Sequence, residues 1–439
     1  MFPYERGLKM FSRLTRTLSS LGPGLLYAGA AVGVSHLVMS TRAGAVYEFL
    51  FLLLIPLIHL IKYPFFKYGP QYTALTGRNI LHGYHALGKW ALAVYIIMTL
   101  LSMCLIQAAV TIVTSSIAIY FFGLNIPAEY MPHIPAIMVL LTAAIILYIG
   151  QYSMLDRVMK VIIVILTITT ITALTVVLMS APGGFHQGSS AQFRLGEYAD
   201  IIFVAAFLGW MPAPMDISVW HSVWSEEANR SRGIRASLSR AMLDFKVGFF
   251  GTALLAMAFL SLGALVMFGS GEQPSANGAV FAGQLINMYT ESLGDWAYPL
   301  IGIAALATMF STTLTCLDAY PRTLEESYFI WKGKGDYESR HGATRAVYLS
   351  MLAVAATGTI ITFIVIKNVS GAMGLIVTTA TVVSFVSAPV IAYINFRVMR
   401  GETVNQADRP DWLMSLWSRV GIATMVLFSL LYLWLIVAR

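Results

Sequence analysis

Long apolar runs separated by short charged stretches make up almost the whole chain. Runs long enough to cross a bilayer, about 20 residues each, fall near 21–46, 48–66, 89–122, 132–150, 157–180, 197–223, 242–270, 296–318, 343–366, 372–396 and 412–438. The pattern predicts about eleven transmembrane helices. Two of these runs carry residues that a continuous helix tolerates badly. In the first, Gly33-Val34-Ser35-His36 puts a glycine and two polar side chains where lipid favours leucine. In the sixth, Pro212 and Pro214 within Trp210-Met211-Pro212-Ala213-Pro214-Met215-Asp216 remove two backbone donors and predict a break. Non-helical backbone at membrane depth is tolerated only where it is buried in protein or lines a cavity.

The charges give the predicted helices a direction. If the amino terminus is cytoplasmic, Lys67, Arg78 and Lys89, then Arg157 and Lys160, then Arg230, Arg232, Arg235 and Arg240, then Lys332, Lys334, Arg340 and Arg345, and last Arg397, Arg400 and Arg409 all fall on the cytoplasmic side. The opposite loops hold only Arg194 and Lys367. This is the positive-inside pattern. With an odd helix number it places the carboxyl terminus outside. The first and sixth runs then point in opposite directions. Helices 1–5 (20–180) and 6–10 (197–400) read as inverted repeats, with an eleventh helix (412–439) appended and a cytoplasmic amphipathic segment (1–19) in front. Paired broken helices in two such halves point to the binding site of a secondary transporter.

Composition supports the same class. The chain has 439 residues, 58% hydrophobic and 11% charged, whereas soluble domains carry roughly 25% charged residues. The net charge of +7 lies in short loops, where it orients helices, so no nucleic-acid partner is expected. Cys104 and Cys316 each lie in an apolar run and offer neither a disulfide framework nor a cysteine metal motif. No nucleotide motif and no nucleophile paired with a base is present, so an enzyme is not expected, nor a cofactor. Compact loops and short tails suggest a bacterial inner-membrane protein.

Gly22-Pro23-Gly24 opening the first helix, Ala43-Gly44-Ala45 beyond it, Thr76-Gly77-Arg78 after the second and Met211-Pro212 in the sixth resemble the Nramp family of metal-ion transporters. The resemblance implies an all-α polytopic protein of LeuT-like fold, with substrate held between the unwound parts of helices 1 and 6 and access alternating between the two sides. Counted from Gly-Pro-Gly, the family's Asp-Pro-Gly-Asn falls on Gly33-Val34-Ser35-His36 and its Met-Pro-His on Met211-Pro212-Ala213. The metal-binding carboxylate, amide and histidine are thus absent, and the thioether is kept. The third helix, where the family carries an acidic proton carrier, offers Gln107, which cannot titrate.

The candidate substrate site is therefore Gly33, Ser35, His36, Gln107, Leu208, Met211, Ala213 and Asp216, with backbone carbonyls near Gly33 and Leu208. If the cargo is a metal, the ligands are His36, Met211 and Asp216: imidazole and thioether suit late transition metals better than Mg²⁺. Asp216 is also placed to be a half-helix N-terminal carboxylate. Arg42 reads as a gate or a partner of Glu48, and Asp244 with Lys246 as a structural ion pair. His221 reads as a solvated or hydrogen-bonded surface histidine. The hydroxyls of 308–315 and 378–387 read as interhelical hydrogen bonds or as a sodium or substrate path. The leading expectation is a divalent-metal transporter with a rebuilt Nramp-type site. The alternatives are a carrier of a small cationic or zwitterionic organic solute and a non-transporting membrane sensor. The coupling ion, H⁺ or Na⁺, stays open, and the bilayer is the one partner the sequence requires.

Overall fold

The first predicted run folds as two half-helices. In the computed structural model, which describes residues 22–127, 130, 133–180, 193–194, 197–268, 274–275, 278–340, 342–367, 369 and 372–437, α1 (Pro23–Ala31) stops at Val32 and Gly33. The chain resumes as a wide π-helical stretch, Val34–Ser40, that runs into α2 (Thr41–Tyr47). Pro23 lies in the first turn of α1, where its missing N–H is one of the orphans anyway. Gly33 faces α11, and a Cβ there would overlap the Thr312 side chain. The segment 1–19 lies outside the described residues, as do most of the 181–196 residues.

The sixth predicted run is likewise two helices, α7 (Tyr198–Trp210) and α8 (Asp216–Arg232), with an extended Met211 and a cis Met211–Pro212 peptide between them. The remaining order is α3 (Leu54–Thr76), α4 (Ile80–Leu87), α5 (Lys89–Phe121), α6 (His133–Ser180), α9 (Leu238–Leu262, ending in a π turn, Gly263–Met267), α10 (Gly278–Leu293), α11 (Ala297–Trp331), α12 (Thr344–Ile366), α13 (Ala372–Met399) and α14 (Trp412–Val437). Among the described residues, eight helical spans are long and apolar enough to cross a membrane. The other three predicted spans are α3, the shorter apolar stretch His133–Ile149 and the broken pair α7–α8.

Three features depart from the sequence reading. The fourth and fifth spans lie in one run of helical backbone, α6, because residues 151–161 between them contain no glycine or proline. The second helix runs to Thr76, well beyond residue 66, and Gly77 ends it in the left-handed conformation. A further helix, α10, occupies a stretch read as loop; Phe281, Leu285, Met288 and Tyr289, at helical spacing, give it a buried face despite its polar residues.

The opening glycine motifs serve close packing. Asp244 on α9 accepts hydrogen bonds from the N–H groups of Gly22 (3.1 Å) and Gly24 (2.7 Å), capping α1 from another helix. A side chain at Gly24 would collide with the Asp244 backbone, and one at Gly44 with the carbonyl of Leu260. Broken helix 1 is thereby clamped along α9. On its other flanks α1 packs against α6, α8 and α11.

Candidate functional site

Breaking helix 6 creates a hydrogen-bond deficit. In a continuous helix the Leu208 carbonyl would bond the N–H of residue 212, and residue 212 is proline. The deficit is met from α3. Lys62, buried, sends its ammonium Nζ to the carbonyl oxygens of Leu208 (2.7 Å), Gly209 (3.3 Å) and Met211 (2.8 Å). A positive charge therefore lies on the negative end of α7. At the opposing end of the break, buried Asp216 lies in the first turn of α8, a carboxylate on a positive half-helix end. Asp216 is in electrostatic reach of Tyr84, Tyr95, Cys316 and Tyr320.

Between the two breaks lies a small cavity of about 20 Å³. Ala30, Ala31, Val34, Ile106, Val110 and Ile217 supply most of its wall, and Ser35, Thr312, Cys316, Trp210 and Trp220 supply the polar atoms. Trp210 directs its indole N–H away to Ser384 on α13 (2.8 Å). Thr312 donates to the Gly29 carbonyl of α1 (3.2 Å). Ser35 donates to Ala31 O (2.5 Å) and lies 2.6 Å from His36 Nδ1.

Of the residues proposed from sequence, Ser35 lines this cavity, while Gly33 abuts Thr312 beside it. His36 is fully buried, its Nε2 has no hydrogen-bond partner among the described residues, and the π-helical stretch that carries it packs against α9. The Met211 and Ala213 side chains are buried, and the Leu208 and Met211 carbonyls are held by Lys62. Gln107 donates to Thr111 Oγ1 (3.1 Å) and Thr313 O (3.2 Å), joining a hydroxyl ladder between α5 and α11 in which Thr114 bonds Met309 O and Thr313. Arg42 is half-buried near Tyr47, and among the described residues its Nε has no partner. Asp244 caps α1, as above, and Lys246 is exposed. His221 is not a surface group: it is buried and stacked on Tyr27 with ring centroids 5.6 Å apart, because helix 1 covers that face of α8.

Sequence reasoning missed Lys62, although a lone lysine inside an apolar run is a signal in itself. It also missed an ionic cluster at one end of the bundle. Arg340, buried, bonds Glu325 (3.1 Å) and both oxygens of Glu326 (2.8 Å each). Asn79 bridges Glu326 (3.2 Å) to Glu226 of α8. Nearby, Asp318 receives Arg322, Tyr348 and Trp224. At the other end, Tyr47 of α2 donates to Asp200 of α7 (2.7 Å). The two broken helices are thus tied together at one end and α8 is tied to α11 at the other.

No family model matches the chain. It is 36% identical over 419 residues to an uncharacterized protein of Pasteurella multocida (strain Pm70), which covers 94% of this chain and 92% of that one. The two proteins belong to one family. Among solved structures, the protein is similar to the manganese transporter of Eremococcus coleocola in complex with an aromatic bis-isothiourea substituted compound, with a TM-score of 0.71 and 13% identity over 96% of this chain and 87% of that chain. It is also similar to MhsT in complex with L-phenylalanine, with a TM-score of 0.59 and 18% identity over 94% and 97% of the two chains. At such identities the likeness is one of fold. This member of the Pasteurella protein's family is an all-α polytopic integral membrane protein with a LeuT-like, Nramp-like fold: about eleven transmembrane helices, two inverted five-helix repeats plus one helix, and helices 1 and 6 broken.

Proposed function

We propose that the protein is a secondary carrier that works by alternating access and moves a small neutral or zwitterionic organic solute with an apolar body. The observation that carries this reading is the Lys62 ammonium on the carbonyls of Leu208, Gly209 and Met211. Free carbonyls at that place would suit a cation; here they already hold the Lys62 ammonium, so a divalent ion would find these oxygens occupied and a like charge on them. Around the breaks, the wall is mainly aliphatic and indole surface with two hydroxyls and a thiol. Among the described residues no group of three or more His, Cys, Asp or Glu side chains is arranged to hold a metal. Its compact loops support a bacterial inner membrane, and its loop charges support a cytoplasmic amino terminus and an outer carboxyl terminus.

A second reading, transport of a divalent metal, is favoured by the likeness to a manganese transporter. In that case His36, Met211 and Asp216 are the ligands, and they must converge in another conformation of the two breaks.

Uptake into proteoliposomes separates the two. Purified protein is tested with apolar amino acids and small neutral solutes, and separately with Mn²⁺, Fe²⁺, Mg²⁺, Zn²⁺ and Ca²⁺. Each is compared with Val110→Phe, which puts a larger side chain on the cavity wall, and with His36→Ala and Asp216→Ala. Saturable organic uptake lost in Val110→Phe supports the first reading. Metal uptake lost in His36→Ala or Asp216→Ala supports the second. Neither, from folded and inserted protein, sinks the carrier reading.

A further inference from the structure

We infer that Leu208, Gly209 and Met211 form a monovalent-cation site that the chain fills with its own Lys62 side chain, so that truncating Lys62 opens it to a free alkylammonium ion. The inference holds whichever cargo the carrier takes.

The site is built from the backbone of helix 6, with the lysine reaching it from α3. Pro212 cannot satisfy Leu208 O, and the extended Met211 turns its own carbonyl out of the helical direction. Three oxygens therefore converge at 2.7, 3.3 and 2.8 Å from one nitrogen. An ammonium has three N–H donors and no acceptor, which matches three carbonyls in number and sense. Among the described residues no carboxylate forms an ion pair with Lys62, so the charge is held by carbonyl dipoles alone. That is how backbone oxygens replace the hydration of a monovalent cation in a selective pore. One turn away on α3, the imidazole of His59 has its Nδ1 engaged with Ile55 O at 2.8 Å. It offers no countercharge.

Room for a substitute is already present. The Lys62 stem borders an apolar cavity of about 60 Å³ lined by Ile58, Ile61, Leu208, Phe385, Ala388 and Met425. In Lys62→Ala, the vacated stem volume joins this cavity, and propylammonium can place its nitrogen on the carbonyls and its alkyl tail among these side chains.

The test is thermal melting of detergent-purified wild type, Lys62→Ala and Lys62→Met, titrated with propylammonium, sodium or potassium chloride against choline chloride at constant ionic strength. Wild type is expected to be indifferent to all of them. Lys62→Ala is expected to melt several degrees lower and to recover most of that loss, saturably, with propylammonium. Lys62→Met is expected to melt lower without recovery, because its side chain fills the cavity without supplying a charge. Wild-type melting of Lys62→Met, or a Lys62→Ala protein that responds to none of the cations, overturns the inference. If neither variant folds, reductive methylation of the wild type with mass-spectrometric readout decides. Lys62 is expected to stay unmodified while exposed Lys332 and Lys334 react; equal reaction at all three overturns it.

Discussion

Lys62 Nζ lies 2.7 Å from the carbonyl of Leu208, whose helical partner would be residue 212, a proline without an N–H. Proline and lysine, far apart in sequence and on different helices, thus form a single device. Pro212 opens the helix and Lys62 compensates the opening. The cost of leaving three buried carbonyls bare is about 1–3 kcal/mol each, which makes the lysine a requirement of the break rather than an ornament on it. The Lys62 side chain of α3 rests on the carboxyl end of α7, and the buried side chain of Asp216 lies at the start of α8, so the two ends of the helix 6 break carry groups of opposite sign.

Arg340 should be among the most sensitive positions outside the breaks. It is buried against Glu325 and Glu326, and removing one partner of a buried ion pair costs about 3–5 kcal/mol. Arg340→Ala is expected to lose that much, and Arg340→Lys less, in denaturant unfolding followed by tryptophan fluorescence. A loss below about 1 kcal/mol for Arg340→Ala, the range of exposed pairs, would show that the cluster does not hold α11 to its neighbours.

Capping of α1 by Asp244 predicts a graded series. Asp244→Ala leaves the N–H groups of Gly22 and Gly24 without their acceptor and is expected to cost about 1–2 kcal/mol. Asp244→Asn keeps an acceptor and should cost less. Melting temperatures of the two variants side by side check the order; equal losses would mean that the charge, not the cap, matters.

Gly33 and Thr312 should be energetically coupled. A methyl at Gly33 overlaps the Thr312 side chain, so Gly33→Ala is expected to cost about 1–3 kcal/mol, the usual range for overpacking. Thr312→Ala in the same chain should return part of it. A double-mutant cycle measures the coupling, and a coupling near zero would place the two residues apart.

Acid should weaken the protein partly through His82, on the short helix α4 outside the membrane spans. Burial, the largest influence, pushes this imidazole down to about 4 from its ordinary value of 6.5. Its folded form therefore resists protonation that the unfolded chain accepts. Between pH 6.5 and about 4 the unfolded state binds the extra proton, and stability falls as pH falls through that window. The full effect is on the order of 1–3 kcal/mol. His82→Gln should flatten the decline of melting temperature between pH 7 and pH 4.5; an unchanged slope would assign the acid sensitivity elsewhere.

Much of this architecture is written in local patterns. Apolar runs of bilayer length are visible one at a time, and so are their breakers: Gly33 within the first run, Pro212 and Pro214 within the sixth. Gly22-Pro23-Gly24 announces a helix start, although its need for glycine comes from Asp244, 220 residues away from Gly24. Polar residues were harder. His221 reads as a surface group until helix 1 is seen lying over it. Gln107 donates to Thr313 O on α11, a partner that no local pattern along α5 announces. Residues 278–293 read as loop because their buried face shows only once α5 and α11 are in place beside them.

The sequence by itself determined that the chain is a bundle of membrane helices, where two of them break and which loops carry the positive charge. Each follows from hydropathy, proline and glycine chemistry within a few residues. Tertiary structure alone decided what satisfies the helix 6 break and which buried charges pair. Lys62 meets Leu208 across 146 positions, and Arg340 folds back onto Glu325 and Glu326. A backbone deficit can be located by reading along a chain; the group that fills it is fixed by which helix packs alongside.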